Sequence, residues 1–197
     1  KRRKNSENHN FRILYVGSIS PNKARELIYC IDLLKDKISN VKLILVGPTV
    51  GGFEQSLLAE LTLLDLRRHV EITGRVAHDE VIKLMEAADV CVNSMNATIR
   101  DYQYAHPGKI LEYMALGKTI VATDTGGTRG IIEDRHSGLL YENGNIVDMA
   151  NKIHEIYSNK QLSRMLAENA LKKVKPFDWR VINRKWNRVL QQVIQSS

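Results

Sequence analysis

The residues best suited to chemistry lie in two short stretches. The first is Pro107-Gly108-Lys109-Ile110-Leu111-Glu112-Tyr113-Met114-Ala115-Leu116-Gly117-Lys118. Pro107 and Gly108 punctuate a loop, and the apolar residues Ile110, Leu111, Met114 and Ala115 then recur at helical spacing until Gly117 ends the helix. A helix starting at a glycine turn presents unpaired backbone N–H groups and the positive end of its dipole, which suits a phosphate. Glu112 sits about one turn inside that helix, where a carboxylate can accept hydrogen bonds from sugar hydroxyls. The second stretch is Val16-Gly17-Ser18-Ile19-Ser20-Pro21-Asn22-Lys23. Here Gly17 lets the backbone turn close to a ligand, and Lys23 opens the next helix with an ammonium that can meet a phosphate.

Each signal has a plainer reading. Lys23 alone reads as a surface lysine, Glu112 as an exposed helix residue, His78 as a cap or surface residue, and His106 as structural. Trp179 and Trp186 read as core anchors of a last helix. The Gly-x-Gly-x-x-Gly dinucleotide spacing and the P-loop are both absent. No His/Cys/Asp cluster has metal-ligand spacing and no Asp-x-Asp pair occurs, so the expectation is a site without metal or resident cofactor.

These stretches must be held by a scaffold of alternating elements. Apolar runs at Phe11–Gly17, Val41–Val46, Val70–Gly74, Ala88–Val92, Ile120–Ala122 and Gly138–Tyr141 read as strands, several closed by glycine. Helical spacing is expected over Lys23–Ile38, around Leu57–Leu64, to Met85 with Asp79 or His78 as cap, over Asn145–Tyr157, over Gln161–Val174 and, after the break at Pro176, over Trp179–Ile194. Largely apolar strands alternating with helices predict an α/β fold. The expected form is a doubly wound, Rossmann-like parallel sheet of about six strands with flanking helices and a C-terminal helix. Ligands of such sheets bind at the carboxyl ends of the strands.

The chain has 197 residues, 43% hydrophobic, room for one domain with a substantial core. Residues 1–10 read as a basic, disordered linker, and residues 11–197 as the domain. The net charge of +7 favours anionic partners. Its charges are spread through helices and not interleaved with aromatics, which argues against nucleic acid. No apolar run is long enough to span a bilayer and no signal peptide opens the chain, so the expected location is cytoplasmic, with peripheral contact at a membrane surface left open. Cys30 and Cys91 lie in apolar segments and read as reduced core thiols.

An ordered set of motifs carries a family resemblance. It comprises Val16-Gly17 with Lys23, Ile44-Leu45-Val46-Gly47, Val70-Glu71-Ile72-Thr73-Gly74-Arg75-Val76, Ala88-Asp89-Val90, Gly108 to Thr123, Thr125-Gly126-Gly127 and Ser137-Gly138-Leu139-Leu140. Together they resemble the carboxyl-terminal, nucleotide-sugar-binding domain of retaining glycosyltransferases of the two-Rossmann-domain (GT-B) type, family four. The likeness runs over residues 11–195 and includes the closing Phe177-Asp178-Trp179.

The resemblance implies roles. Lys23 would pair with the donor diphosphate. Ser18 stands where many members carry an arginine for the same work, and Lys109 is a candidate replacement. Arg75 and Val76 would lie in the loop that packs on the nucleobase. Glu112 would bond the ribose hydroxyls. A first glutamate, expected at Tyr104, is absent, leaving Asp101, Tyr102, Tyr104 or His106 to substitute. Gly126 and Gly127 would keep backbone close to the donor. The implied activity is transfer of a sugar from a nucleotide-diphosphate carrier to an acceptor hydroxyl with retention. The acceptor, a saccharide or lipid-linked saccharide, would bind an N-terminal domain absent from this sequence, and the single domain would be inactive alone. The competing expectations are a non-hydrolysing sugar-nucleotide epimerase and a non-catalytic binding module.

Overall fold

A computed structural model describes residues 10–95 and 103–195. The strands are β1 Phe11–Val16, β2 Val41–Val46, β3 Val70–Gly74, β4 Val90–Asn93, β5 Ile120–Thr123 and β6 Leu139–Tyr141. The helices are α1 Pro21–Leu34, α2 Glu54–Leu63, α3 His78–Ala87, α4 Gly108–Ala115, α5 Gly126–Arg129, α6 Ile146–Ser158, α7 Lys160–Lys173 and α8 Trp179–Gln195, with a 3-10 turn at Lys175–Phe177 before α8. The six strands form one parallel sheet in the order β3-β2-β1-β4-β5-β6. The order reverses between β1 and β4, which is the topological switch point where such sheets open a crevice.

Both faces of the sheet are covered, as apolar parallel strands require. One face packs Ile13, Leu43, Leu45, Val90, Val92, Val121 and Leu139 against α1, α2 and α6, whose Leu27, Ile31, Leu57, Leu61, Met149 and Ile153 are buried. The other packs Leu14, Ile44, Cys91, Ile120 and Ala122 against α3 and α4 through Met85, Ile110, Tyr113 and Met114. Both cysteines are buried and free, and burial pushes the Cys91 thiol up to about 12. No helix among the described residues is long and apolar enough to cross a membrane.

Several expectations shift. Neither His78 nor Asp79 caps α3: the cap position is Ala77, with no side-chain bond. Gly126–Arg129 is a short helix closed by Thr125, whose Oγ1 accepts from the Thr128 N–H. Trp179 and Trp186 are not core anchors, being 69% and 60% exposed on α8. Periodicity marks the apolar stripe of a helix but says nothing of what covers it. The linker expected over residues 1–10 falls, Asn10 apart, outside the described residues.

The strand ends beneath the crevice are joined by glycine. The Gly17 N–H donates to the Val46 carbonyl at 2.8 Å and the Gly47 N–H to the Gly74 carbonyl at 2.9 Å. Gly17 and Gly47 adopt φ of +133° and +135°, and a Cβ on Gly47 would lie 2.2 Å from the Gly17 carbonyl oxygen. No L-residue fits there. Gly47→Ala is therefore expected to cost about 3 kcal/mol of unfolding free energy, against about 1 kcal/mol for Gly144→Ala, also at positive φ but in open space. Urea titration of the two variants checks the difference.

Candidate functional site

The crevice edge is built by the turn after β1, the first turns of α1 and α4, and the segment after β5. α1 begins at Pro21, its cap residue Ser20 making no side-chain bond, and α4 begins at Gly108 after Pro107, again without a capping side chain. α2 and α3 are also uncapped, but each places an acid in its first turn, while α5, α6 and α7 have side-chain caps. Of α1–α7, only α1 and α4 have neither cap nor acid. Each places a lysine there instead, Lys23 or Lys109, where the helix dipole opposes a cation.

The two lysines share one corner. Burial lowers the Lys23 ammonium. Burial first, and the Lys23 charge second, push Lys109 down to about 7 against the opposing pull of Glu112. Lys23 and Glu112, read from two separate stretches of sequence, thus both act on Lys109. Lys109 Nζ lies 4.3 Å from the centre of the Tyr15 ring. It also lies 3.0 Å from where a Cβ on Gly17 would sit. Tyr15 is fully buried, and its hydroxyl donates to the carbonyl of the exposed Ser18 at 3.2 Å. On the other side the Val16 N–H donates to the Tyr113 hydroxyl at 3.2 Å, tying α4 to β1.

The other expected residues fall on flanking walls. Arg75 is exposed just past β3, and Val76 packs on the α3–α4 core. Tyr104 is 71% exposed and lines a shallow crevice with Gln103, Asp124, Thr125, Gly126 and Arg129. The Arg129 guanidinium there clamps the Asp124 carboxylate through two bonds of 2.6 Å. Gly126 and Gly127 meet the chain itself. A Cβ on Gly127 would lie 2.0 Å from the Ala105 carbonyl oxygen, and one on Gly126 3.0 Å from that of Gln103. The glycines are explained by close approach of the preceding loop. His106 is pressed against Gly130, its Nε2 being 2.9 Å from where a Cβ there would sit. Asp101 and Tyr102 lie outside the described residues. Among the described residues no group of three His, Cys, Asp or Glu side chains could hold a metal ion.

Three residues of the site escaped sequence reasoning. Tyr15 looks like one more apolar strand position. Glu26, one turn beyond Lys23, accepts from Ser94 and, at 2.9 Å, from the Tyr141 hydroxyl. That hydroxyl in turn accepts from Thr123 at 2.8 Å, and Thr123 accepts from the Met95 N–H at 2.9 Å. This network binds the ends of β4, β5 and β6 to α1. Asn93, the last residue of β4, is fully buried, and neither polar atom of its amide meets a partner among the described residues. An acid one turn from the lysine was a faint signal for Glu26; Tyr15 and Asn93 offered none.

A six-stranded parallel sheet whose order reverses between β1 and β4, covered by helices on both faces, defines a Rossmann-like α/β domain. The family description "Glycosyl transferases group 1" matches residues 1–173, and the chain belongs to that family. It is 31% identical over 175 residues to an uncharacterized glycosyltransferase of Methanocaldococcus jannaschii, covering 89% of this chain and 46% of that protein. It is 28% identical over 164 residues to the N,N'-diacetylbacillosaminyl-diphospho-undecaprenol alpha-1,3-N-acetylgalactosaminyltransferase of Campylobacter jejuni, covering 83% and 40%. Among solved structures, HepE of Anabaena in complex with UDP superposes with a TM-score of 0.81 at 26% identity, covering 93% of this chain and 49% of that one. HepE is also solved in complex with UDP-glucose. The chain thus spans less than half the length of these proteins.

Lys109 links the site to stability. Its folded value of about 7 lies below the unfolded value of about 10.4, so between these the unfolded chain binds more protons and stability rises with pH. The lysine costs most below pH about 7, where it is charged in both states. Lys109→Met should therefore stabilise the chain by about 2 kcal/mol near neutral pH, partial exposure having roughly halved the cost, and should flatten the rise from about pH 7 to about pH 10. Urea unfolding across that range measures both.

Proposed function

We propose that residues 11–197 are the donor-binding half of a glycosyltransferase that moves a sugar from a nucleoside-diphosphate carrier to an acceptor hydroxyl, with retained anomeric configuration. The observation carrying this reading is the pair of uncapped, acid-free helix starts of α1 and α4, each bearing a lysine, facing one crevice. Burial and the Lys23 charge depress the Lys109 ammonium beside the positive dipole end of α4, and an anion bound there would favour its charged form. A diphosphate supplies that anion. The UDP and UDP-glucose complexes of HepE favour a uridine nucleotide as carrier.

In this reading Lys23 and Lys109 grip the diphosphate together with the first N–H groups of α4 from Gly108 onward, and Lys109 replaces the cation missing at Ser18. Glu112 accepts from the ribose hydroxyls, Arg75 and Val76 flank the base, and Tyr104 with Gly126 and Gly127 at the start of α5 forms the wall toward the sugar. No metal is required, since lysines and dipoles neutralise the leaving group. The bond from the anomeric carbon to the diphosphate oxygen breaks while that to the acceptor oxygen forms on the same face. The acceptor proton passes to the leaving phosphate oxygen. The acceptor, a saccharide or lipid-linked saccharide, binds a second half that closes the opposite wall, possibilities in keeping with the coverage of 46% and 49% of the related proteins.

Calorimetric titration with uridine, guanosine and adenosine diphosphate sugars tests the reading. One of them should bind, and Lys23→Ala, Lys109→Met or Glu112→Ala should each weaken it about tenfold, as loss of a charge-assisted hydrogen bond does. Residues 1–197 alone should transfer no sugar. Efficient transfer by this chain, or binding indifferent to all three substitutions, would overturn the assignment.

A further inference from the structure

We propose that the Tyr15 ring is a positioning element of the donor site, an aromatic face that seats the Lys109 ammonium against the Gly17 turn so that it meets the diphosphate already charged. This rests on the diphosphate reading of the corner. Three observations converge on it. Lys109 Nζ stands 4.3 Å from the ring centre, within cation–π range. Gly17 leaves the space that admits the ammonium, since a Cβ there would lie 3.0 Å from Nζ and 3.6 Å from the Tyr15 hydroxyl oxygen. The ring cannot turn away freely, because it is fully buried and its hydroxyl donates to the Ser18 carbonyl at 3.2 Å.

The charges around Lys109 show why such a seat is needed. Lys23 faces it from α1 and repels it; Glu112, on its own helix, attracts it. Tyr113 on α4 is held by the Val16 N–H and keeps its proton well beyond neutral pH through burial. Among the described residues no ion pair holds the Lys109 ammonium. Beside Glu112, the face of Tyr15 favours the cation over the free amine, against burial, Lys23 and the α4 dipole. The quadrupole acts on charge, so replacing the ring with one of equal size and inverted charge distribution separates this role from packing.

The test compares Tyr15→Phe with pentafluorophenylalanine at the same position in the full 197-residue chain. The two rings are close in size, so both variants should fold; both lack the hydroxyl and its bond to the Ser18 carbonyl, so their comparison isolates the ring. Lysine side-chain NMR of the ligand-free chain, assigned with Lys109→Met, reads the midpoint of the Lys109 titration. The fluorinated ring should lower that midpoint by about half a pH unit or more relative to Phe. Equal midpoints would overturn the proposal. UDP-glucose, whose diphosphate does not titrate near neutrality, then reports the consequence. Tyr15→Phe should bind within about twofold of the unaltered chain, while the fluorinated variant should bind about five-fold more weakly at about pH 8 and approach it at about pH 6, where Lys109 is charged in both. A loss independent of pH would also overturn it. Failure of the unaltered chain to bind UDP-glucose would count against the donor reading, while the ligand-free midpoints still decide the role of Tyr15.

Discussion

Two like charges held beside two positive helix ends are the constraint on which the rest of the site depends. α1 and α4 approach the switch point from opposite faces of the sheet and neither ends in a cap or an acid. Every other helix from α2 to α7 quiets its start with one or the other. Charging Lys109 therefore carries an electrostatic cost at this corner. A fold selected for stability alone would place an acid and not a lysine in these first turns.

The supporting structure keeps that corner from relaxing. The glycine contact between the ends of β1 and β2 brings backbone within van der Waals reach where no side chain could fit, so the crevice floor is made of peptide groups. On the far side, Glu26 gathers Ser94 and Tyr141 and, through Thr123, the backbone after β4. One acid on α1 thereby fixes the helix carrying Lys23 to three strand ends. α4 is fixed independently by the Val16–Tyr113 bond and by Ile110 and Met114 in the core. The lysines are held by packing, which is why their repulsion persists and is not dispersed by motion of the helices.

α8 has a different character. It follows the 3-10 turn and presents Trp179, Trp186, Leu190 and Ile194 to the outside. Its apolar stripe therefore stays largely exposed.

The element types and the parallel sheet were legible because apolar strands closed by glycine and helices with three-to-four spacing leave a local imprint. Lys23, Lys109 and Glu112 were legible for the same reason, as residues at or one turn beyond a helix start. The strand order, and hence the meeting of α1 and α4 at one crevice, was decided by tertiary packing, since local spacing carries no information about which strand lies beside which. Tyr15 shows the limit most clearly: in the chain it is one apolar strand residue among several, and only the fold brings Lys109, ninety-four positions away, over its ring. The same holds for Gly127, whose need to be glycine comes from the Ala105 carbonyl, and for Trp179 and Trp186, whose burial depends on a surface that no periodicity specifies. Periodicity is a property of neighbours along the chain, whereas charge, contact and burial depend on neighbours in space.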